Sequence, residues 1–393
     1  MGEVIMMFDE APKTETLGVD DASALEVPDS RPAEQASPVC SYTEWDPLEE
    51  VVLGQVQGTS SPVWHVVIKG TAPRDSWELI EALSGQPADQ ISKDVVDNAQ
   101  ADLDGFRDVL ESCGVTVRRP DLQPQTTPFN SPQWSSPAGY NIANPRDVFL
   151  VIGDQIIEAP MSWRSRQYEA HAYRSLLKEY SRAGARWVAA PRPELPDGLY
   201  DEDYEPPAVG EAPRYVTNEF EPVFDAADFV RLGRDLVCTR SNTTNRSGME
   251  WLQRHLGSEH TIHELEVKSR QPMHIDTTIV PLGPGKLLVN PQYVDPDNLP
   301  AIFDRWEVKT APKPEPTQGL MYDMSSMWLS MNVLSIDEKR VVVEKGQEPL
   351  IRMLEEWGFE PIPVQFHNYF IFGGAFHCST LDVRRRGTLQ SYA

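Results

Sequence analysis

DVFLVIGDQIIEAP, residues 147–160, holds two short apolar runs joined through Gly153-Asp154, and its reading decides the fold. Such runs around a Gly-Asp pair predict a β-hairpin. The same design returns in DFVRLGRDLVCTR (228–240), TTIVPLGPGKLLVN (277–290) and NVLSIDEKRVVVEK (332–345). Each copy precedes an amphipathic stretch at helical spacing, predicted over 162–183, 244–256, 297–306 and 347–357. A further short strand ends each unit: RWVAAP, TIHELE, WEVKTAP and FEPIPV. A fifth unit is split between the chain ends. EEVVLGQ (49–55), a helix near 95–112 and VTVRRP (115–120) supply most of it, and FHCSTLDVRR (376–385) supplies the missing strand. The expected fold is α/β: five ββαβ modules with pseudo-fivefold symmetry, closed where the N- and C-terminal strands pair. Residues 58–94 and 192–216 read as loop insertions.

The totals narrow the partners. A formal charge of -25 over 393 residues argues against nucleic acid and anionic membrane. No apolar run approaches the roughly 18 residues of a membrane span. Cys40, Cys113, Cys238 and Cys378 are scattered, without a C-x-x-C pair or a signal-peptide pattern, so the expected setting is a reducing cytoplasm. Residues 1–37 are acidic and Pro-containing, the composition of a disordered tail and the reverse of an Arg-rich presequence. The folded domain is expected over 38–393.

Polar residues recur at or just before the first strand of each hairpin: Asp147, Asp225, His274 with Asp276, Ser325 with Ser326, and Cys378. In a closed ring these positions converge on one pocket. A thiol becomes a strong nucleophile when a nearby base or cation favours its thiolate. His377 is adjacent to Cys378, but neighbours on a strand point to opposite faces, so His274 is the better partner. Asp225 or Asp228 would orient that imidazole, the other capping the following turn. Asp147 and Asp276 oppose thiolate formation in an empty site and do not suit acyl transfer, which needs oxyanion donors. They suit a planar guanidinium, which carboxylates bind through paired N–H···O bonds. Cysteine, histidine and several aspartates without a metal set point to attack on a guanidino carbon. His260 and His263 have no third ligand in view. Arg384, Arg385 and Arg386 are expected to form ion pairs within the fold, and Met321, Met324, Met327 and Met331 to be core or pocket lining.

Longer stretches carry a resemblance. PMHIDTT (272–278), FDAADFVRLGRD (224–235), NPRDVFLVIGDQIIEAPMSWRSR (144–166), SSMWLSMNVL (325–334), SYTEWDPLEEVVLG (41–54) and GGAFHCSTLDVRRRGTLQSY (373–392) resemble the arginine amidinotransferase family. That family includes glycine and inosamine-phosphate amidinotransferases. The resemblance implies a five-bladed α/β propeller (pentein) and a ping-pong reaction. Cys378 would attack the guanidino carbon of arginine, His274 would protonate the departing ornithine amine, and Asp225 would orient His274. Asp147 and Asp276 would hold the guanidinium, with Ser325, Ser326 and the Met273 backbone on the rest of the donor. No metal or organic cofactor is implied; the partners would be small molecules and a second copy of the chain. One departure stands out. The family pattern puts an arginine for the donor carboxylate two residues after an Asn-Pro, where this chain has Tyr293 in NPQY. Gln271, just before PMHID, is expected to bear on the choice of acceptor. A deiminase-type hydrolase would use the same residues, glycine is the simplest acceptor, and a non-catalytic guanidino-binding protein is the third reading.

Overall fold

The computed structural model describes residues 37–317 and 327–393. Strand β1 (Leu48–Leu53) pairs in parallel with β2 (Thr116–Arg118), and a small hairpin of β3 (Phe129–Asn130) and β4 (Ser135–Ser136) follows. Next, β5 (Phe149–Ile152) and β6 (Gln155–Glu158) pair antiparallel, and β7 (Arg186–Ala189) adds parallel to β6. The arrangement repeats in β8 (Phe229–Leu232), β9 (Asp235–Cys238) and β10 (Thr261–Glu264), then in β11 (Ile279–Gly283), β12 (Lys286–Val289) and β13 (Glu307–Thr310). It repeats again in β14 (Leu334–Ser335), β15 (Arg340–Glu344) and β16 (Glu360–Val364). The last strand, β17 (Thr380–Arg385), runs antiparallel to β1, from Leu48 against Arg385 to Leu53 against Thr380. The split fifth unit is therefore assembled from both ends of the chain.

Strands β5, β6, β8 and β9 are buried at every position, which is why they read as continuous apolar runs rather than alternating ones. Their turns pass through Gly153 (φ 59°) and Gly233 (φ 74°), left-handed positions where a side chain would be strained. The crossover helices are Lys93–Ser112, Arg174–Arg182, Arg246–Leu256 and Glu348–Glu356. The Asn245 side chain caps Arg246–Leu256 by accepting from the Gly248 amide at 2.8 Å.

Three expectations need correction. The helix predicted over 297–306 is two 3-10 turns, Pro296–Asn298 and Ala301–Phe303. Pro300 lacks the N–H that a continuous helix would use and restricts Leu299 before it. The stretch 162–183 is helical only from Arg174, after 3-10 turns at Arg164–Arg166 and Glu169–Tyr173. The insertion 58–94 is not a loop: it contains the helices Val66–Thr71, Trp77–Ala82 and Ala88–Ile91.

Asp382 on β17 is fully buried and meets three arginines: Arg146 at 2.6 Å, Arg231 at 2.7 Å and Arg385 at 2.7 Å. Arg231 also forks onto Glu44 at 2.8 and 2.6 Å. Arg384 and Arg386 both pair with Glu49, so the arginine run is spent within the fold as expected. All four cysteines are free. Met331 is buried, whereas Met327 is 49% exposed and lines no core; Met321 and Met324 lie outside the described residues. Among the described residues, no helix is long and apolar enough to cross a membrane.

Candidate active site

A cavity of about 780 Å³ opens where the loops leading into β5, β11 and β17 come together. Asp147, His274, Asp276 and Cys378 line it, together with Gln271, Met273 and Tyr293. Each acidic or nucleophilic group is delivered by a short turn just ahead of a strand. Asp147 lies in the single turn Pro145–Val148, Asp225 directly precedes the 3-10 turn Ala226–Asp228, and His274 leads the turn Ile275–Thr277. Ser325 and Ser326 lie outside the described residues.

His274 is held between two carboxylates. Its Nε2 is 3.0 Å from Asp225 Oδ2 and its Nδ1 is 3.6 Å from Asp147 Oδ1. Its backbone sits at φ 55°, one of two non-glycine residues with positive φ among those described. That conformation is costly and persists only where the surroundings over-determine it. Asp228 does not reach the imidazole; it accepts from the hydroxyls of Ser241 (2.6 Å) and Thr244 (2.5 Å). Burial pushes its carboxyl up to about 7, even with those hydroxyls and the His274 charge opposing. Of the two aspartates, Asp225 is the one within hydrogen-bond distance of the imidazole.

Cys378 is fully buried, two residues ahead of β17. Its thiol donates to Asp276 Oδ2 at 3.3 Å, and Asn332 Nδ2 donates to its sulfur at 3.2 Å. The Asn332 carbonyl oxygen accepts from the Ala375 amide (3.1 Å) and the Cys378 amide (3.0 Å), so one side chain fixes both the thiol and its loop. Asn332 also stands two residues before β14, the place that Asp147 and Cys378 hold in their own units. Gly374 completes the fit: a Cβ there would lie 2.6 Å from Cys378 Cβ and 2.6 Å from Asn144 Oδ1.

The charges explain the resting state. Burial, reinforced by Asp276, pushes the Cys378 thiol up to about 12 despite a hydrogen bond with His274. Burial acts against a charged His274, but Asp147 and Asp225 outweigh it and hold the imidazole well above its ordinary value. Asp147 is raised by burial in spite of His274 and Arg166, while Asp276 is lowered, because His377 and His274 overcome its burial. The surroundings therefore favour a neutral thiol and a charged imidazole among carboxylates. Bringing in a cation is what would favour the thiolate. The nearest donor atoms of Asp147, His274 and Cys378 also lie within 4.8 Å of one another, a spacing that could hold a metal ion and that sequence reading did not anticipate.

His377 is no direct partner of Cys378, as the sequence implied. It does not touch the thiol, yet its Nδ1 is 2.8 Å from the Asp276 oxygen that accepts from Cys378, and its Nε2 is 3.2 Å from Glu44. Both residues precede β17 in a turn, where strand alternation does not apply. His263 is paired with Asp235 at 2.8 Å, away from the cavity.

Comparison with known proteins adds the relatives. No family model matches the chain. L-arginine:L-lysine amidinotransferase of Pseudomonas savastanoi pv. phaseolicola is 48% identical over 358 residues, covering 91% of this chain and 97% of that protein. Mitochondrial glycine amidinotransferase of Danio rerio is 42% identical over 369 residues, covering 92% and 86%. Among solved structures, SxtG, an amidinotransferase of the saxitoxin pathway of Microseira wollei, superposes with a TM-score of 0.88 at 49% identity, covering 91% of this chain and all of that one. A dimethylarginine dimethylaminohydrolase shares the fold alone, with a TM-score of 0.52 at 14% identity, covering 85% and 99%. Identity near one half along almost the whole of two amidinotransferases, over a cavity carrying a cysteine, a histidine and carboxylates, means that the chain belongs to the amidinotransferase family and is a transferase.

Proposed function

We propose that this protein moves the amidino group of L-arginine to an acceptor amine in the biosynthesis of a specialised metabolite, through a covalent amidino-cysteine at Cys378. The observation that carries the reading is a pair of buried oxygens. Asp147 Oδ1 and Asp276 Oδ1 have no hydrogen-bond partner among the described residues, in the cavity that also holds the thiol. Buried acceptors without donors are rare, and a guanidinium supplies N–H groups in one plane. Its charge also lowers the cost of ionising the thiol.

In this reading the thiol loses its proton to solvent as the guanidinium binds, the thiolate attacks the guanidino carbon, and the His274 imidazolium gives its proton to the departing amine as the C–N bond breaks. Ornithine leaves, and the amidino group stays on sulfur. An acceptor amine attacks the same carbon, neutral His274 takes its proton, and the C–S bond breaks to restore thiolate and imidazolium. Asp225 keeps the imidazole oriented, and Met273, Ser325, Ser326, Gln271 and Tyr293 would surround the rest of the substrates. The Pseudomonas relative is an L-arginine:L-lysine amidinotransferase and the Microseira one serves the saxitoxin pathway, which supports an arginine donor and a specialised setting. We further infer that the β1–β17 pairing closes a five-bladed propeller over residues 38–393, that residues 1–37 form an acidic tail, and that the protein works as a cytoplasmic homodimer.

Intact-mass measurement after incubation with arginine alone tests this. Wild type should gain one amidino group and Cys378→Ala none. The adduct should persist until an amine is added, and lysine, glycine and other amines can then be compared as acceptors. Steady citrulline release without an amine would mean a hydrolase instead.

A further inference from the structure

Three cationic side chains besides His274 line the cavity among the described residues: Arg166, Lys268 and Arg270. Arg166 is committed, forking onto Glu169 at 3.0 and 2.8 Å and pairing with Asp147 at 3.0 Å. Lys268 Nζ is 3.0 Å from Asp295. Arg270 has no carboxylate partner among the described residues. Its Nε donates to the Pro207 carbonyl, and its two terminal nitrogens make no hydrogen bond there. That single bond, to the 192–216 insertion, sets the plane of the guanidinium and leaves its outer edge open.

The loop carrying it is pinned from the other side as well. Gln271 Nε2 donates to the carbonyls of Lys69 (2.8 Å) and Ala72 (2.7 Å), at the end of the helix Val66–Thr71. Both insertions in the repeat thus hold residues 270–271 in place. The cavity thus carries carboxylates at Asp147 and Asp276 and the uncommitted Arg270, with Glu211 also on its lining. Tyr293, where a cation was expected from the family pattern, lines the same space.

We propose that Arg270 binds the α-carboxylate of the amidino donor, replacing a cation that Tyr293 cannot supply. This rests on the amidino-transfer reading above. A free amino acid with a guanidino terminus carries a cation at one end and, beside its ammonium, a carboxylate at the other, and the cavity offers carboxylates for the first and Arg270 for the second. An arginine fork meets a carboxylate with two parallel N–H···O bonds, which a lysine cannot reproduce. Arg270 is accordingly a determinant of donor specificity that selects α-amino acids over simple guanidines.

The test compares arginine with agmatine, which is arginine without its carboxylate. Rates of amidino-adduct formation at Cys378 are measured against donor concentration for wild type, Arg270→Met and Arg270→Lys. Arg270→Met should raise the half-saturating arginine concentration about tenfold or more while leaving the limiting rate and the whole agmatine curve unchanged. Arg270→Lys should fall between. The unchanged agmatine curve reports an intact fold and thiol. An arginine curve that does not move, or arginine and agmatine curves that weaken equally, would overturn the assignment. Wild type that forms no adduct with either donor would instead remove the amidino-transfer reading, and this inference with it.

Discussion

His377 Nδ1 stands 2.8 Å from Oδ2 of Asp276, the same oxygen that accepts the Cys378 thiol at 3.3 Å. The other nitrogen of His377 is 3.2 Å from Glu44, so both ring nitrogens face carboxylates. Burial and Arg146 work against a charge on this imidazole, but Asp276 and Glu44 prevail and its pKa is raised. A buried cation thus keeps Asp276 ionised beneath the thiol.

His377→Gln should therefore change how the enzyme responds to pH. Without the imidazolium, Asp276 protonates at higher pH, so the acid limb of kcat/KM for arginine should move upward. A charged hydrogen bond contributes roughly 1.5–3 kcal/mol, so kcat/KM at neutral pH should fall about ten- to hundredfold, mainly through KM. An acid limb that stays where it was would show that His377 is structural only.

The thiol should be unreactive until a cation arrives. With Cys378 pushed up to about 12, alkylation of the empty enzyme by iodoacetamide should keep rising with pH across the alkaline range. Adding millimolar guanidinium at neutral pH should speed the reaction. Modification is followed on the Cys378 peptide, since three other cysteines are free. A plateau near neutral pH in the empty enzyme would refute this account.

Asn332 should matter for rate more than for binding. Asn332→Ala removes the donor to the sulfur and the acceptor for two loop amides, and kcat should drop on the order of a hundredfold with KM little changed. Asn332→Asp should be worse, because it sets another negative charge against the thiolate. Steady-state kinetics of the pair decides; an aspartate variant as active as the alanine one contradicts the electrostatic argument.

Asp382→Asn should test the buried charge network. It leaves Arg146, Arg231 and Arg385 short of a negative partner, and the loss of stability should be about 3–5 kcal/mol. Denaturant unfolding measures it. A loss under about 1 kcal/mol would show that Glu44 and backbone carbonyls suffice for those arginines.

Much of this was legible in the chain because it is local. Hairpin turns, strand burial and helical spacing are written in neighbouring residues, so the repeated module could be read, as could the offset that places Asp147, His274, Asp276 and Cys378 just before a strand. The same offset points to Asn332, the first residue of NVLSIDEK, although the serines 325 and 326 drew attention instead. Pro296 and Pro300 carried the signal against the helix expected over 297–306, which the structure resolves into two 3-10 turns.

The rest depends on contacts between units far apart in the chain. Asp225 and Asp228 sit three residues apart in one turn, and only packing against the His274 loop decides which meets the imidazole. His377 acts at a distance because Asp276, from another unit, lies between it and the thiol. Arg270 lines the cavity where two insertions, each read from sequence as a loop, meet: one accepts from its side chain and the other from that of its neighbour Gln271. Sequence determined the repeated module and the chemistry it carries, since periodicity encodes which face each segment buries. Tertiary structure decided which of those groups touch, since that depends on where five separately encoded segments come to rest against one another.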